Sequence, residues 1–333
     1  MCPGLREHLR AVEAEIGRIA QAHMPLLRGA SRHVSFGGAK RLRPVILLLS
    51  AEACGKVDDR AILHAAVVEL LHVASLAHDD VIDESGFRRG KPSARSRWGN
   101  KISVLVGDYL LARSFWWAAM DESPLLMQEL TKAAAQMCVG QIRELTAVPP
   151  ELTERGCLET AAAKTASLFC AAARIGARLG GGSPQQVDAL GRFGSSFGTA
   201  YQVADDVVDF IAPEEAVGKP VGRDLTQGKV TLPLVYVLRR GPAQARKKAL
   251  AALGDGAPSL RDVRMLRELA VRHGGIDYAR QAVLKHLARA KKALAPLAET
   301  PAKRALTEAC GPAFPLPIFD QVAIRWKERS GSS

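Results

Sequence analysis

Aromatic residues are scarce in this chain, 5% of 333 residues, while alanine and leucine abound. That shortage argues for helices over sheets, because aromatic and β-branched side chains are the ones strands favour. The six cysteines (Cys2, Cys54, Cys138, Cys157, Cys170, Cys310) form no CxxC pair, which leaves neither a zinc ligand set nor a disulfide framework and reads as reduced core thiols. No uninterrupted apolar run approaches the roughly eighteen residues of a membrane span, and residues 1–10 carry charges where a signal peptide has its apolar centre, so the expectation is a soluble, cytoplasmic protein. Strand alternation, solenoid-length repeats and long polar linkers are also missing, which predicts one domain over 1–333.

Apolar residues make up 47% of the chain, enough for a core, and the net charge is +12. Much of that excess falls in 239–292, among alanines and leucines, where a solvated helix face is the simplest reading. With no nucleic-acid motif and no aromatics interleaved with the cations, nucleic acid is excluded as a partner. A basic surface would, however, help a peripheral enzyme near an anionic membrane. Helical periodicity predicts helices over 5–30, 43–54, 61–78, 101–120, 124–146, 153–179 and 187–210, and again from 230 onward, with loops at 85–93 and 214–229. The helices at 61–78 and 187–210 are apolar nearly all round and should be central and buried.

Each of those two buried helices delivers a cluster of aspartates. Asp79-Asp80-Val81-Ile82-Asp83 and Asp205-Asp206-Val207-Val208-Asp209 stand 126 residues apart. Residues three and four apart share a helix face, so spacing alone puts Asp79 and Asp80 beside Asp83, and Asp205 and Asp206 beside Asp209. Three carboxylates in one turn repel each other unless cations neutralise them. Hard oxygen donors without thiolate or paired imidazole suit Mg2+, which is held by one or two carboxylates together with substrate phosphates. A duplicated cluster therefore predicts a diphosphate held by metal ions, with apolar helix below for a hydrocarbon tail.

Several further blocks then fall into a known order. They are Gly37-Gly38-Ala39-Lys40-Arg41-Leu42-Arg43-Pro44, Glu69-Leu70-Leu71-His72 leading into Asp83, Arg88-Arg89-Gly90-Lys91-Pro92, Gly107-Asp108-Tyr109-Leu110-Leu111-Ala112, Lys164-Thr165-Ala166 and Tyr201-Gln202. The second aspartate cluster follows, and then Gly218-Lys219 through Asp224-Leu225 to Gly228-Lys229-Val230-Thr231-Leu232-Pro233. Together, over 37–233, they resemble the trans-isoprenyl diphosphate synthases, or polyprenyl synthetases. The resemblance departs at Ala39, which intervenes before Lys40, and at Tyr201, where phenylalanine is common.

That resemblance implies an all-α, isoprenoid-synthase-like bundle of about ten or more helices around a deep central cavity, assembled as a homodimer. It implies Mg2+-dependent head-to-tail condensation of isopentenyl diphosphate with an allylic diphosphate, with roughly three ions per active site when substrate is bound. Asp79, Asp80, Asp83 and Asp205 would hold the metals, supported by Asp206 and Asp209. Arg88, Lys164 and Lys219 would contact the allylic diphosphate, with Lys229 near it, and Lys40, Arg43, His72 and Arg89 would bind isopentenyl diphosphate. Backbone carbonyls near Lys164 and Thr165, and the side-chain oxygen of Gln202, would face the allylic cation, and the released diphosphate would take the proton.

Ala74 and Ser75, five and four residues before Asp79, are small where an aromatic would plug the slot. One helical turn, ~5.4 Å, is about one isoprene unit, so the expected product is long, about C30 or more, its length set deeper down, where Trp116 or Trp117 is either the floor or an ordinary core residue. The competing readings are a shorter-chain (about C15–C20) synthase, a terpene cyclase or head-to-head synthase, and a subunit that needs a partner. A further alternative is a metal phosphohydrolase built on His78, Asp79, His64 and Asp205.

Overall fold

The computed structural model describes residues 4–36, 40–121, 123–149, 151–211, 223–254 and 258–311. Pro25 divides the first expected helix into α1 (Leu5–Ile19) and α2 (Pro25–Ser35). Proline has no amide hydrogen to continue the ladder but fits a first helical turn, so it starts α2 instead of extending α1. Next come α3 (Leu42–Cys54) and α4 (Asp59–Ile82), the latter capped by Asp58, whose carboxylate accepts from the Ala61 amide at 3.0 Å.

The expected loop at 85–93 holds a small antiparallel hairpin, β1 (Phe87–Arg88) with β2 (Lys91–Pro92), turning through Arg89 and Gly90 at φ 49° and 77°. Positive φ at both central residues is the tight hairpin turn whose twist matches its strands. Helix α5 (Ala94–Ala119) begins earlier than periodicity suggested, under a Ser93 cap, and kinks at Gly99. Then follow α6 (Pro124–Leu145), α7 (Glu154–Ala161), a π-helical turn at Ala162–Ala166, α8 (Ser167–Leu179), α9 (Pro184–Ile211), α10 (Arg223–Thr226), α11 (Leu232–Arg240), α12 (Ala243–Leu253), α13 (Leu260–Arg272), α14 (Gly275–Ala293) and α15 (Pro301–Ala309). The all-α expectation is met. The expected loop at 214–229 lies partly outside the described residues and contains α10.

The chain forms two compact units. One comprises Met1–Ala135, Leu168–Gly194 and Ala293–Leu306; the other comprises Gln136–Ser167, Ser195–Lys292 and Thr307–Ser333. In the first, α4 packs against α1, α3 and α5, burying Val12, Ile16, Leu47, Leu70, Val73 and Leu110. In the second, α11 packs on α7, α12 and α13, burying Leu234, Val235, Val237, Val263 and Leu266.

On length and hydropathy alone α4 is apolar enough to cross a membrane, with mean hydropathy 1.5 over its best window. Counting uninterrupted apolar runs missed this, because Glu69, His64 and His72 break the run without lowering the average much. That window is 72% buried inside the protein, as expected for a core helix.

Candidate functional site

The end of α4 carries the first aspartate cluster, in the first unit. Asp79 is half-buried, and Asp83 is the residue that caps the helix C-terminus. Asp80 turns elsewhere: its side chain is 3% exposed and accepts from Arg88 Nε at 2.6 Å. Spacing groups all three carboxylates, and the family resemblance makes them metal ligands and Arg88 a diphosphate contact. In this structure Asp80 and Arg88 form an ion pair, the hairpin bringing the Arg88 guanidinium back to α4. The hairpin is held by serines, Ser93 Oγ donating to the Ser85 carbonyl at 2.6 Å and Ser96 Oγ to that of Gly86 at 2.7 Å. A small cleft beside it, about 30 Å3, is lined by His33, Val73, Leu76, Asp80, Arg88 and Arg89.

His72, two turns before Asp79, is pushed well below the usual imidazole range by burial and then by Arg43, Arg89, Arg88 and Arg41, so it is neutral and able to accept a hydrogen bond. Arg43 is buried, its guanidinium 4.5 Å from the Phe169 ring. Lys40 and Arg89 are exposed. The four cationic or imidazole groups expected to bind one diphosphate thus belong to one unit, and the field of three of them reaches or originates at His72. Beside Asp79, His78 Nε2 sits 3.1 Å from Asp108 Oδ1, against Gly107, where a Cβ would fall 2.3 Å from that nitrogen.

The second unit holds the other cluster. Lys164 lies in the π turn, its backbone against Gly140, where a Cβ would fall 2.3 Å from the Lys164 nitrogen. Its Nζ donates to Glu144 Oε2 at 2.5 Å, and Lys229 Nζ approaches the same oxygen at 3.4 Å. Thr165 Oγ1 donates to Gln202 Oε1 at 2.6 Å, and Gln202 Nε2 donates to Asp206 Oδ1 at 2.6 Å. The oxygen expected to face a cation is therefore tied to Thr165. Asp205 is exposed, and Asp209 Oδ2 accepts from the Asp224 amide at 3.0 Å.

Negative charge exceeds positive in this cluster. Asp206 is raised well above the usual carboxylate range by burial, then by Asp224, Glu144 and Asp205, against a lowering by Gln202. Asp224 is pushed up to about 7 by burial and Asp209, against the pull of Lys229. Five carboxylates against two lysines is a donor set that fits a hard divalent cation. Among the described residues no three His, Cys, Asp or Glu side chains converge as a ready-made metal site, so phosphate oxygens or water would complete any coordination shell. Nearby on α6, Gln141 is 8% exposed, and neither end of its amide has a partner among the described residues.

Glu144 escaped the sequence reading, and Asp224 entered it only inside a quoted motif, without a role. Each is a single acidic residue without a repeating pattern, although Glu144 lies three residues after Gln141 on one helix face, a signal that could have drawn attention. Lys219, and the Gly37–Ala39 stretch that includes the departure at Ala39, lie outside the described residues.

Ala74 is 1% exposed, whereas Ser75 is half-buried on the Asp79 face, its hydroxyl bonded to the His72 carbonyl. Trp116 is 48% exposed and stacks beside Arg113, so it floors no buried slot, while Trp117 lies under Arg18 at 3.8 Å. The phosphohydrolase reading fails on α4 itself, since His64 is fifteen residues, ~22 Å, from Asp79 and bonded to the Arg60 carbonyl.

Residues 24–270 match the family model described as Polyprenyl synthetase. A short chain isoprenyl diphosphate synthase of Methanothermobacter thermautotrophicus is 37% identical over 286 residues, covering 84% of this chain and 87% of that protein. An all-trans-nonaprenyl-diphosphate synthase (geranyl-diphosphate specific) of Rhodobacter capsulatus is 34% identical over 298 residues, covering 89% and 91%. The crystal structure of a polyprenyl synthase from Caulobacter crescentus, complexed with calcium and isoprenyl diphosphate, superposes with TM-score 0.87 at 33% identity, covering 92% of this chain and 93% of that one.

Proposed function

The chain belongs to the polyprenyl synthetase family and is a prenyltransferase, and from that membership we infer head-to-tail condensation of isopentenyl diphosphate with an allylic diphosphate to give a long all-trans polyprenyl diphosphate. The observation that carries this reading is the connected set Lys229–Glu144–Lys164 beside Thr165–Gln202–Asp206, which combines anchored cations, oriented dipoles and surplus carboxylate.

Asp79, Asp80, Asp83 and Asp205 are the proposed metal ligands, with Asp206 and Asp209 in support, and Arg88 holds the Asp80 carboxylate in place. Bound Mg2+ would neutralise charge on the departing diphosphate. Lys164 and Lys229 stand ready for the same charge, already oriented by Glu144. Lys40, Arg43, neutral His72 and Arg89 bind isopentenyl diphosphate. Thr165 orients the Gln202 carbonyl dipole, which favours the allylic cation, and apolar walls keep water from quenching it. No side-chain base is assigned, and the released diphosphate takes the proton.

Ser75, small and one turn below Asp79, supports a product of about C30 or longer. The likeness to a short chain synthase favours a second reading, a product of about C15–C20. Purified protein incubated with farnesyl diphosphate, isopentenyl diphosphate and Mg2+ decides: mass spectrometry is expected to find long polyprenyl chains, and release of mainly C15 or C20 overturns the long-chain reading. Failure to elongate at all overturns the assignment.

The enzyme is further proposed to be a cytoplasmic homodimer that visits anionic membranes. Residues 239–292 carry fourteen Lys and Arg against four Asp and Glu, ten of the net twelve charges, and Arg246, Lys247, Lys248, Arg261, Arg264 and Lys285 are exposed. Sedimentation with anionic vesicles at low salt, lost at high salt, is the expected behaviour; binding to neutral vesicles alone excludes it.

A further inference from the structure

Arg41 differs from its neighbours Lys40 and Arg43 in both backbone and partners. It precedes α3 with φ 51° and ψ 33°, a left-handed conformation unusual for a side chain of this size. Among the described residues the other non-glycine positions of positive φ are Glu84 and Arg89, both in the segment that follows Asp83. Backbone strain of this kind persists when the surroundings over-determine it.

Here the surroundings are explicit. Arg41 is 8% exposed, and its guanidinium is engaged from three elements. Nε and Nη2 form a two-point contact with Glu13 of α1 at 2.6 and 2.9 Å. Nη2 also donates to the carbonyl of Ser35, at the end of α2, at 2.8 Å. Nη1 donates to Glu69 of α4 at 3.0 Å, and Glu69 is 2% exposed and three residues before His72. Four of its five N–H donors are thus committed within the protein, which marks the guanidinium as a structural clamp. Its neighbours in sequence differ: Lys40 is exposed, while Arg43, one half-turn into α3, is buried close enough to act electrostatically on His72.

We propose that Arg41 is a positioning residue for isopentenyl diphosphate, locking the left-handed turn that holds Lys40 and Arg43 in register with His72 without itself touching substrate. This rests on the reading of Lys40, Arg43 and His72 as the grip on that diphosphate. Lysine keeps the charge but lacks the planar fork, and cannot serve Glu13, Ser35 and Glu69 at once. The effect of losing the fork should therefore appear in one substrate's binding and not in the other's.

The test is steady-state kinetics on Arg41→Lys, Glu13→Gln and Lys40→Ala, each checked for native circular dichroism. Arg41→Lys is expected to raise KM for isopentenyl diphosphate about tenfold, with KM for the allylic diphosphate changed less than about twofold and kcat within about threefold. Glu13→Gln, whose carboxylate is partly exposed and whose loss leaves Glu69 in place, gives a smaller shift in the same sense and serves if Arg41→Lys does not fold. A raised KM in Lys40→Ala with none in the Arg41 and Glu13 variants overturns the positioning role alone. No rise in any of the three overturns the reading of the grip together with it. Equal rises in both KM values show a general structural role and also overturn the proposal.

Discussion

Lys164 and Glu144 meet at 2.5 Å, and Lys229 reaches the same carboxylate oxygen at 3.4 Å, so one acid on α6 holds two cations from separate parts of the second unit. Replacing Glu144 with glutamine keeps an acceptor but removes the charge that fixes both ammonium groups. Turnover at saturating substrate is expected to fall about 10–100-fold, and Lys164→Ala to fall further, about 100–1000-fold, as for loss of a pre-placed donor. Equal activity of Glu144→Gln and the parent protein would remove Glu144 from the machinery.

The two neighbouring aspartates of the first cluster should behave differently. Asp79→Asn is expected to abolish most turnover with a smaller loss of thermal stability than Asp80→Asn, because Asp79 is half-buried and Asp80 is buried. Asp80→Asn strands Arg88, whose side chain is 30% exposed, so the loss is below that of a fully buried pair, about 1–3 kcal/mol. Thermal denaturation of the two variants in parallel separates them, and identical midpoints would show that Asp80 is not anchored to Arg88.

The fold was legible in the sequence where a pattern repeats along one helix, and illegible where residues far apart meet. Periodicity found α3, α4, α6 and α9 with their approximate ends, since a buried stripe announces itself every three or four residues. It merged α1 with α2, because Pro25 suits a helix start as well as a break. The aspartates, Lys164, Thr165 and Gln202 were visible as a set. The ion pair of Asp80 with Arg88 was not, because it depends on a hairpin that brings the guanidinium back to α4. Arg41 was quoted within a motif without a role, since its partners Glu13 and Glu69 stand 28 residues away on either side.

Acid sensitivity follows from His64. Burial lowers its pKa from 6.5, with weaker opposing pulls from the Arg60 carbonyl and Asp121, and Nε2 has no partner among the described residues. The unfolded chain then takes up a proton below about pH 6.5 that the folded chain refuses, so stability is full above that value and falls as pH drops through it. His72 has the same sign. Asp121, lowered chiefly by its bond to Arg60, adds a separate loss only below about pH 4. Melting temperature between pH 7.5 and 5 should decline in the parent protein and more gently in His64→Gln. Parallel curves would discount His64.

Product length should respond to Ser75 more cleanly than to Ala74. Ser75→Phe places a ring one turn below Asp79 on its own face and is expected to shorten the product by several isoprene units of ~5 Å each. Ala74→Phe meets packed neighbours and costs about 1–3 kcal/mol through overpacking. Chromatography of the products and melting curves of both variants distinguish the two effects.

Self-association should depend on α5. Leu105 and Trp116 are 59% and 48% exposed and lie on one helix face with Asp108 and Ala112, a stripe apolar enough to seek cover. Leu105→Glu is expected to convert a dimer to monomer in analytical ultracentrifugation. A dimer that survives unchanged places the contact elsewhere.

The π turn at Ala162–Ala166 has an evolutionary corollary. An extra residue inserted in a helix rotates everything beyond it by ~100° relative to an unbroken α-helix. Deleting any one amino acid from that segment would leave a smoother, better-bonded rod, and would swing the Lys164 ammonium off Glu144 and the Thr165 hydroxyl off Gln202. Length variation in this stretch should therefore be tolerated by folding and rejected by catalysis, making it a place where a well-folded but inert relative could arise by a single codon loss.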